Sequence, residues 1–167
     1  QIYNGVLLHG DAVSVNSGGT LNSLTNNGLL QSLGNGIHVL SGAGTSIGII
    51  TNNGTIAAGN GFWGILTESN ANIATLNNLQ GAGNTSGALT YKGVLPQNYN
   101  IIIQSLSNYG QLSVGTYSGS MSFGIQPGST VNANGKYTSV LQGFSTLGSV
   151  TNPTGTFNSY GYSLVAN

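Results

Sequence analysis

The sequence predicts an all-β chain, a right-handed parallel β-helix (β-solenoid) with about 26 residues per coil and a C-terminal β capping region. Three observations carry that prediction. The first is a repeat: "SLTNNGLLQS", from Ser23, returns as "IITNNGTIAA" from Ile49, and a fixed period of this size marks stacked structural units. The second is composition, because 28 glycines, frequent Asn-Gly pairs and β-branched residues at regular spacing favour turns and strands, while no helical periodicity stands out. The third is what persists between copies: an apolar position, a turn glycine and one asparagine. Rungs stacked in register about 4.8 Å apart place the same residue over its predecessor in this way.

From about Gly10 to Asn84 the chain reads as solenoid coils, in which "TLNSL", "SIGII" and "NIATL" are short apolar strands between Asn-Gly or Gly-Asn-Gly turns. Shifting by the period aligns Leu21, Ile47 and Ile73 as one core column and Leu24, Ile50 and Leu76 as a second. It aligns Asn26, Asn52 and Asn78 as a structural ladder, since stacked amides hydrogen-bond along the axis and asparagine tolerates the backbone of a tight corner. The same shift pairs Val39 with Ile65 and Leu40 with Leu66. The "GNG" at Gly34 returns at Gly59, one residue short of the period, so the loops vary while strands keep register.

Residues 85–167 are expected to form a cap continuous with the coils. There the period weakens, tyrosines concentrate, and "NYNIIIQSL", "YGQLSVG", "SMSFGIQPG", "KYTSVLQGF" and "SYGYSLVAN" place apolar residues at alternate positions for part of their length. A solenoid end needs such a cap because it leaves unpaired backbone groups.

Only four residues are charged, Asp11, Glu68, Lys92 and Lys136, with a net charge of zero. No basic field exists for phosphate backbones, so nucleic acid is not an expected partner. Without cysteine there is no disulfide or thiolate metal site. No apolar run reaches the roughly 18 residues of a membrane-spanning helix. The chain begins with Gln, which reads as a processed product or a fragment.

The run "YKGVLPQNYNIIIQSLSNYGQLSVG", then "FGIQPGSTVNANGKYTSVLQG" and "TGTFNSYGYSLV", resembles the end of the passenger region of autotransporters, the type V secreted surface proteins of Gram-negative bacteria. In motif terms the likeness covers the second half, and in repeat style the first. Tyr109 to Val114 is similar to a strand of that family's autochaperone region, Gly135-Lys136-Tyr137 to a later Gly-x-Tyr strand, and Gly155-Thr156-Phe157 to a Gly-x-Phe turn. The resemblance implies a β-helix exported to the cell surface or beyond, whose C-terminal region templates folding. The family's membrane barrel and linking helix have no counterpart in these residues, so the chain corresponds to the exported portion.

Several motifs suggest chemistry and read better as structure. Gly44-Thr45-Ser46-Ile47-Gly48 matches a nucleophile elbow, but no helix follows and Ser46 aligns with Thr20 and Asn72 as a turn position. Gly59-Asn60-Gly61-Phe62-Trp63-Gly64 matches a dinucleotide fingerprint without its helix or its acid about 20 residues on. Glycoside hydrolysis needs two carboxylates about 5 to 9.5 Å apart; Asp11 and Glu68 are two periods plus five residues apart, which predicts that they neither stack nor share adjacent rungs. His9, Asp11 and His38 could recruit a metal, though solvated or structural roles fit them better. No catalytic, cofactor or metal residue is assigned. Trp63, beside Phe62, packs on the next coil or stacks on a sugar. The function expected is therefore structural or adhesive, a stalk or self-associating fibre subunit, with a glycan-binding module as the alternative and a polysaccharide-processing enzyme third.

Overall fold

In the computed structural model, residues 10–84 and 87–165 are described; His9 falls outside the described residues. The chain is a parallel β-solenoid. Its first coil runs through β1 (Val13–Val15), β2 (Thr20–Asn26) and β3 (Leu29–Gln31), its second through β4 (Ile37–Val39), β5 (Ser46–Asn52) and β6 (Thr55–Ala57). Then follow β7 (Ile65–Thr67), β8 (Asn72–Asn78) and β9 (Gly81–Ala82), then β10 (Leu89–Val94), β11 (Asn98–Ile101) and β12 (Tyr109–Gly110). The stack ends with β13 (Leu112–Ser118), β14 (Met121–Ile125), β15 (Leu141–Gln142) and β16 (Val150–Thr151), and a hairpin of β17 (Thr154–Phe157) and β18 (Tyr160–Ser163) closes it. A 3₁₀ turn at Leu147–Ser149 is the one helical element among the described residues.

Two six-stranded sheets form the walls, β1-β4-β7-β10-β13-β15 and β2-β5-β8-β11-β14-β16. Both cross the boundary expected near residue 84 without a break. In the second sheet, Leu21, Ile47 and Ile73 pair in register, and Leu24, Ile50 and Leu76 continue upward into Tyr99 and Phe123. Ile47, Ile50, Ile73, Leu76 and Tyr99 are fully buried. The column changes from aliphatic to aromatic where the coil spacing falls from 26 residues, as between Asn52 and Asn78, to 23 residues, as between Asn77 and Asn100.

The third wall is short. β3 and β6 pair in parallel, but β9 turns away to pair antiparallel with β12. The exposed edge of β6 is met by a side chain instead of a strand: Gln80 Oε1 accepts from Ile56 N at 2.8 Å, and Gln80 Nε2 donates to Ile56 O at 3.4 Å. One primary amide thus supplies the donor and acceptor of a missing ladder residue, which is why Gln80 is buried.

Four expectations need correction. Tyr109 to Val114 is not one strand: it divides at Gln111 into β12, antiparallel to β9, and β13, parallel to β10. Val39 does not stack on Ile65, nor Leu40 on Leu66: Ile37 pairs with Ile65 and Val39 with Thr67, two positions off the expected register. The loop between β6 and β7 is two residues longer than that between β3 and β4, and the extra length carries Phe62 and Trp63. Gly135-Lys136-Tyr137 is not a strand; Asn134 is in the left-handed region with φ 57°, and Tyr137 stacks edge-on against Tyr109. Gly155-Thr156-Phe157 is not a turn but part of β17, and the turn falls at Asn158 and Ser159, both with positive φ.

The repeated Asn-Asn-Gly corner has a direct steric reason. A Cβ at Gly54 would collide with the backbone of Gly28 in the coil before it, so stacked corners at this spacing require glycine there.

Candidate functional site

The most concentrated polar chemistry lies along the axis, where two coil-bound carboxylates meet one histidine. His38, in the middle of β4, points outward from the sheet. Its Nδ1 is 2.8 Å from Asp11 Oδ2, in the segment before β1, and its Nε2 is 2.9 Å from Glu68 Oε1, just after β7. Asp11 belongs to the first coil, His38 to the second and Glu68 to the third. The doubly protonated ring donates to both carboxylates at once; the neutral ring donates to one and turns a lone pair on the other.

Each carboxylate is also held by backbone. Asp11 Oδ1 accepts from Asn35 N at 2.7 Å and from Asn35 Nδ2 at 3.0 Å, and Glu68 Oε2 accepts from Ser41 N at 2.9 Å. Burial alone would raise the Asp11 carboxyl, yet the Asn35 N–H, the His38 ring and the Asn35 amide together hold it below the ordinary carboxylate range. Glu68 is held below its ordinary value chiefly by the Ser41 N–H and then by His38, against a smaller opposing effect of burial.

The sequence reading had Asp11 and Glu68 neither stacked nor on adjacent rungs; they do lie two rungs apart, but His38 on the rung between them joins both in one line. The imidazole bridges the two carboxylates. Among the described residues no group of three His, Cys, Asp or Glu side chains has metal-binding geometry. What the arrangement does chemically is tie three coils together with charge-assisted hydrogen bonds.

A second polar line runs inside the corner. Asn26 Nδ2 donates to Asn52 Oδ1 at 2.9 Å and Asn52 Nδ2 to Asn78 Oδ1 at 3.0 Å. Asn52 also donates to Gln80 Oε1 at 3.2 Å, and Asn78 Nδ2 to the carbonyls of Gln80 and Gln111 at 2.9 and 3.1 Å. None of the three asparagines has positive φ, so the amide ladder, rather than tolerance of a strained corner, explains them.

Trp63 drapes over the outer face of the first sheet. Its indole lies where a Cβ at Gly115 would fall, two strands further along, and Lys92 Nζ is 5.8 Å from the ring centroid. The loop is fixed by Trp63 N donating to Asn35 Oδ1 at 3.1 Å, so one buried asparagine joins it to the Asp11 carboxylate. Ser46, read from the sequence as a turn position, is instead the first residue of β5, paired between Thr20 and Asn72, and the Gly59–Gly64 loop leads into β7 rather than into a helix.

Sequence reasoning missed Asn35, Ser41 and Gln80. Asn35 carried a signal, since it is the centre of a "GNG" turn 24 residues after Asp11; Gln80 carried one too, since it stands in the column of Gly28 and Gly54 and breaks that repeated turn glycine.

Fold and site together define a parallel β-solenoid braced by axial polar ladders. The chain matches no protein-family model, no curated protein and no solved structure.

Proposed function

We propose that this chain is a structural and adhesive β-solenoid of the extracellular or outer cell surface, a stalk or self-associating fibre subunit whose C-terminal region templates the coils before it. One observation carries the reading: both long sheets run unbroken from β1 and β2 to β15 and β16, with a single register shift between Tyr91 and Gly93 where β10 meets β13, so every coil is built on the next, and the final coil is covered by the hairpin. Tyr162 fastens that hairpin, its ring 5.7 Å from Phe123 and its hydroxyl donating to Phe123 O at 3.3 Å. A repeat stack draws its stability from rung and interface contributions, so a preformed end lowers the cost of adding each further coil. The use of both carboxylates of the chain to brace coils favours this reading over polysaccharide processing. The likeness to autotransporter passengers supplies the proposed setting, the surface of a Gram-negative bacterium.

Refolding tests the templating half of the proposal. A chain ending near residue 85 is expected to refold slowly or aggregate where the full chain refolds cooperatively; rapid cooperative refolding of the shortened chain would remove the templating role.

A further inference from the structure

At the C-terminal end the core stops being filled. The sixth pair of strands contributes only Leu141–Gln142 and Val150–Thr151, so the layer above Phe123 and Ile125 lacks the side chains that a full rung would place there. Between that layer, the loop over residues 131–139 and the hairpin lies a cavity of about 760 Å³. Protein interiors leave few voids larger than a water molecule, while sites that enclose a small molecule measure about 300–1,000 Å³.

The cavity lining is mixed. Ile101 and Phe123 are its buried apolar members, and Ile125 and Leu147 are partly buried. Asn134 and Lys136, both exposed, also line it. No acidic residue lines it, and the two carboxylates of the chain are both engaged by His38 in the first three coils. An apolar interior with one cationic rim group matches an amphiphile that carries one negative head.

We propose that the cavity beneath the C-terminal hairpin is a binding site for a single-chain aliphatic carboxylate, its tail against Ile101, Phe123 and Leu147 and its carboxylate toward Lys136. The site is independent of the assembly proposed above: loss of binding would leave the solenoid's structural role standing, and a monomeric chain could still bind.

The test is calorimetric titration of the full chain with decanoate and, separately, with 1-decanol. The expected result is one decanoate per chain, bound more tightly than decanol. Lys136→Gln is expected to weaken decanoate about threefold, the scale of one exposed ion pair, and to leave decanol unchanged. Leu147→Trp, which adds bulk to the wall, is expected to abolish binding of both, with its strand content checked by circular dichroism; should it fail to fold, the exposed Lys136 variant decides. Absence of saturable binding, or equal affinity of wild type and Lys136→Gln for decanoate, would overturn the proposal.

Discussion

Ile50 and Asn52 stand two positions apart on β5 and face the same interior with opposite demands. Ile50 needs only apolar neighbours, Leu24 and Leu76; Ile50→Asp places a carboxylate without a partner in a fully buried column and is expected to cost more than about 4 kcal/mol, enough to unfold the coils. If that variant melts like the parent, the stacked-column account is wrong. Asn52 needs hydrogen bonds. Asn52→Ala removes one hydrogen bond each from Asn26 Nδ2, Asn78 Oδ1 and Gln80 Oε1, which keep Thr55 O, Gln80 N and Ile56 N as partners, and is expected to lower stability by about 1–3 kcal/mol in urea unfolding. The Asp11–His38–Glu68 line makes a pH prediction. Both carboxyls are held below their ordinary values in the folded chain, so they stabilise the fold above the ordinary carboxylate range, and that contribution is lost as pH falls through the lowered values. The urea midpoint should therefore drop between neutral pH and about pH 3, by less in His38→Ala, which lacks the ring that both carboxyls lean on. An identical drop in the two proteins would show that the line does not act as a brace.

At the scale of elements, the strands were legible and several connections were not. β2, β5 and β8 follow one strict shift because their inward residues must coincide, and that constraint is visible as Leu21, Ile47 and Ile73. The loop before β7 has no such constraint; its two additional residues reset the register of the neighbouring sheet, and no local sequence signal announced it. The site was half legible for the same reason. The asparagine ladder obeys the period, whereas Asp11, His38 and Glu68 meet through side-chain reach across loops of unequal length. The loop insertion also gives an element-scale test. Gly115→Val would push Trp63 off β13, and since Trp63 is the one tryptophan of the chain, its emission should shift to longer wavelength as the indole gains solvent, with a stability loss of about 1–3 kcal/mol. Unchanged emission would mean that the ring does not rest on Gly115.

The whole molecule has two unlike ends and almost no charge. At the first coil, Leu21, Leu24 and Leu30 are only partly buried where their successors Ile47, Ile50 and Ile56 are at most 2% exposed, and Leu29 and Leu33 are 66% and 53% exposed. Among the described residues no further rung covers them. A net charge of zero leaves little repulsion between copies, and contact between one molecule's first coil and a different surface of another is heterologous, so it need not close and can propagate a filament. The most direct test of the proposed fibre role is light scattering of the purified chain over a concentration series at low and high salt, with electron microscopy of the same samples. The account predicts mass that grows with concentration, is not dispersed by salt, and appears as end-to-end rods. A strictly monomeric chain at high concentration in both salt conditions would contradict it.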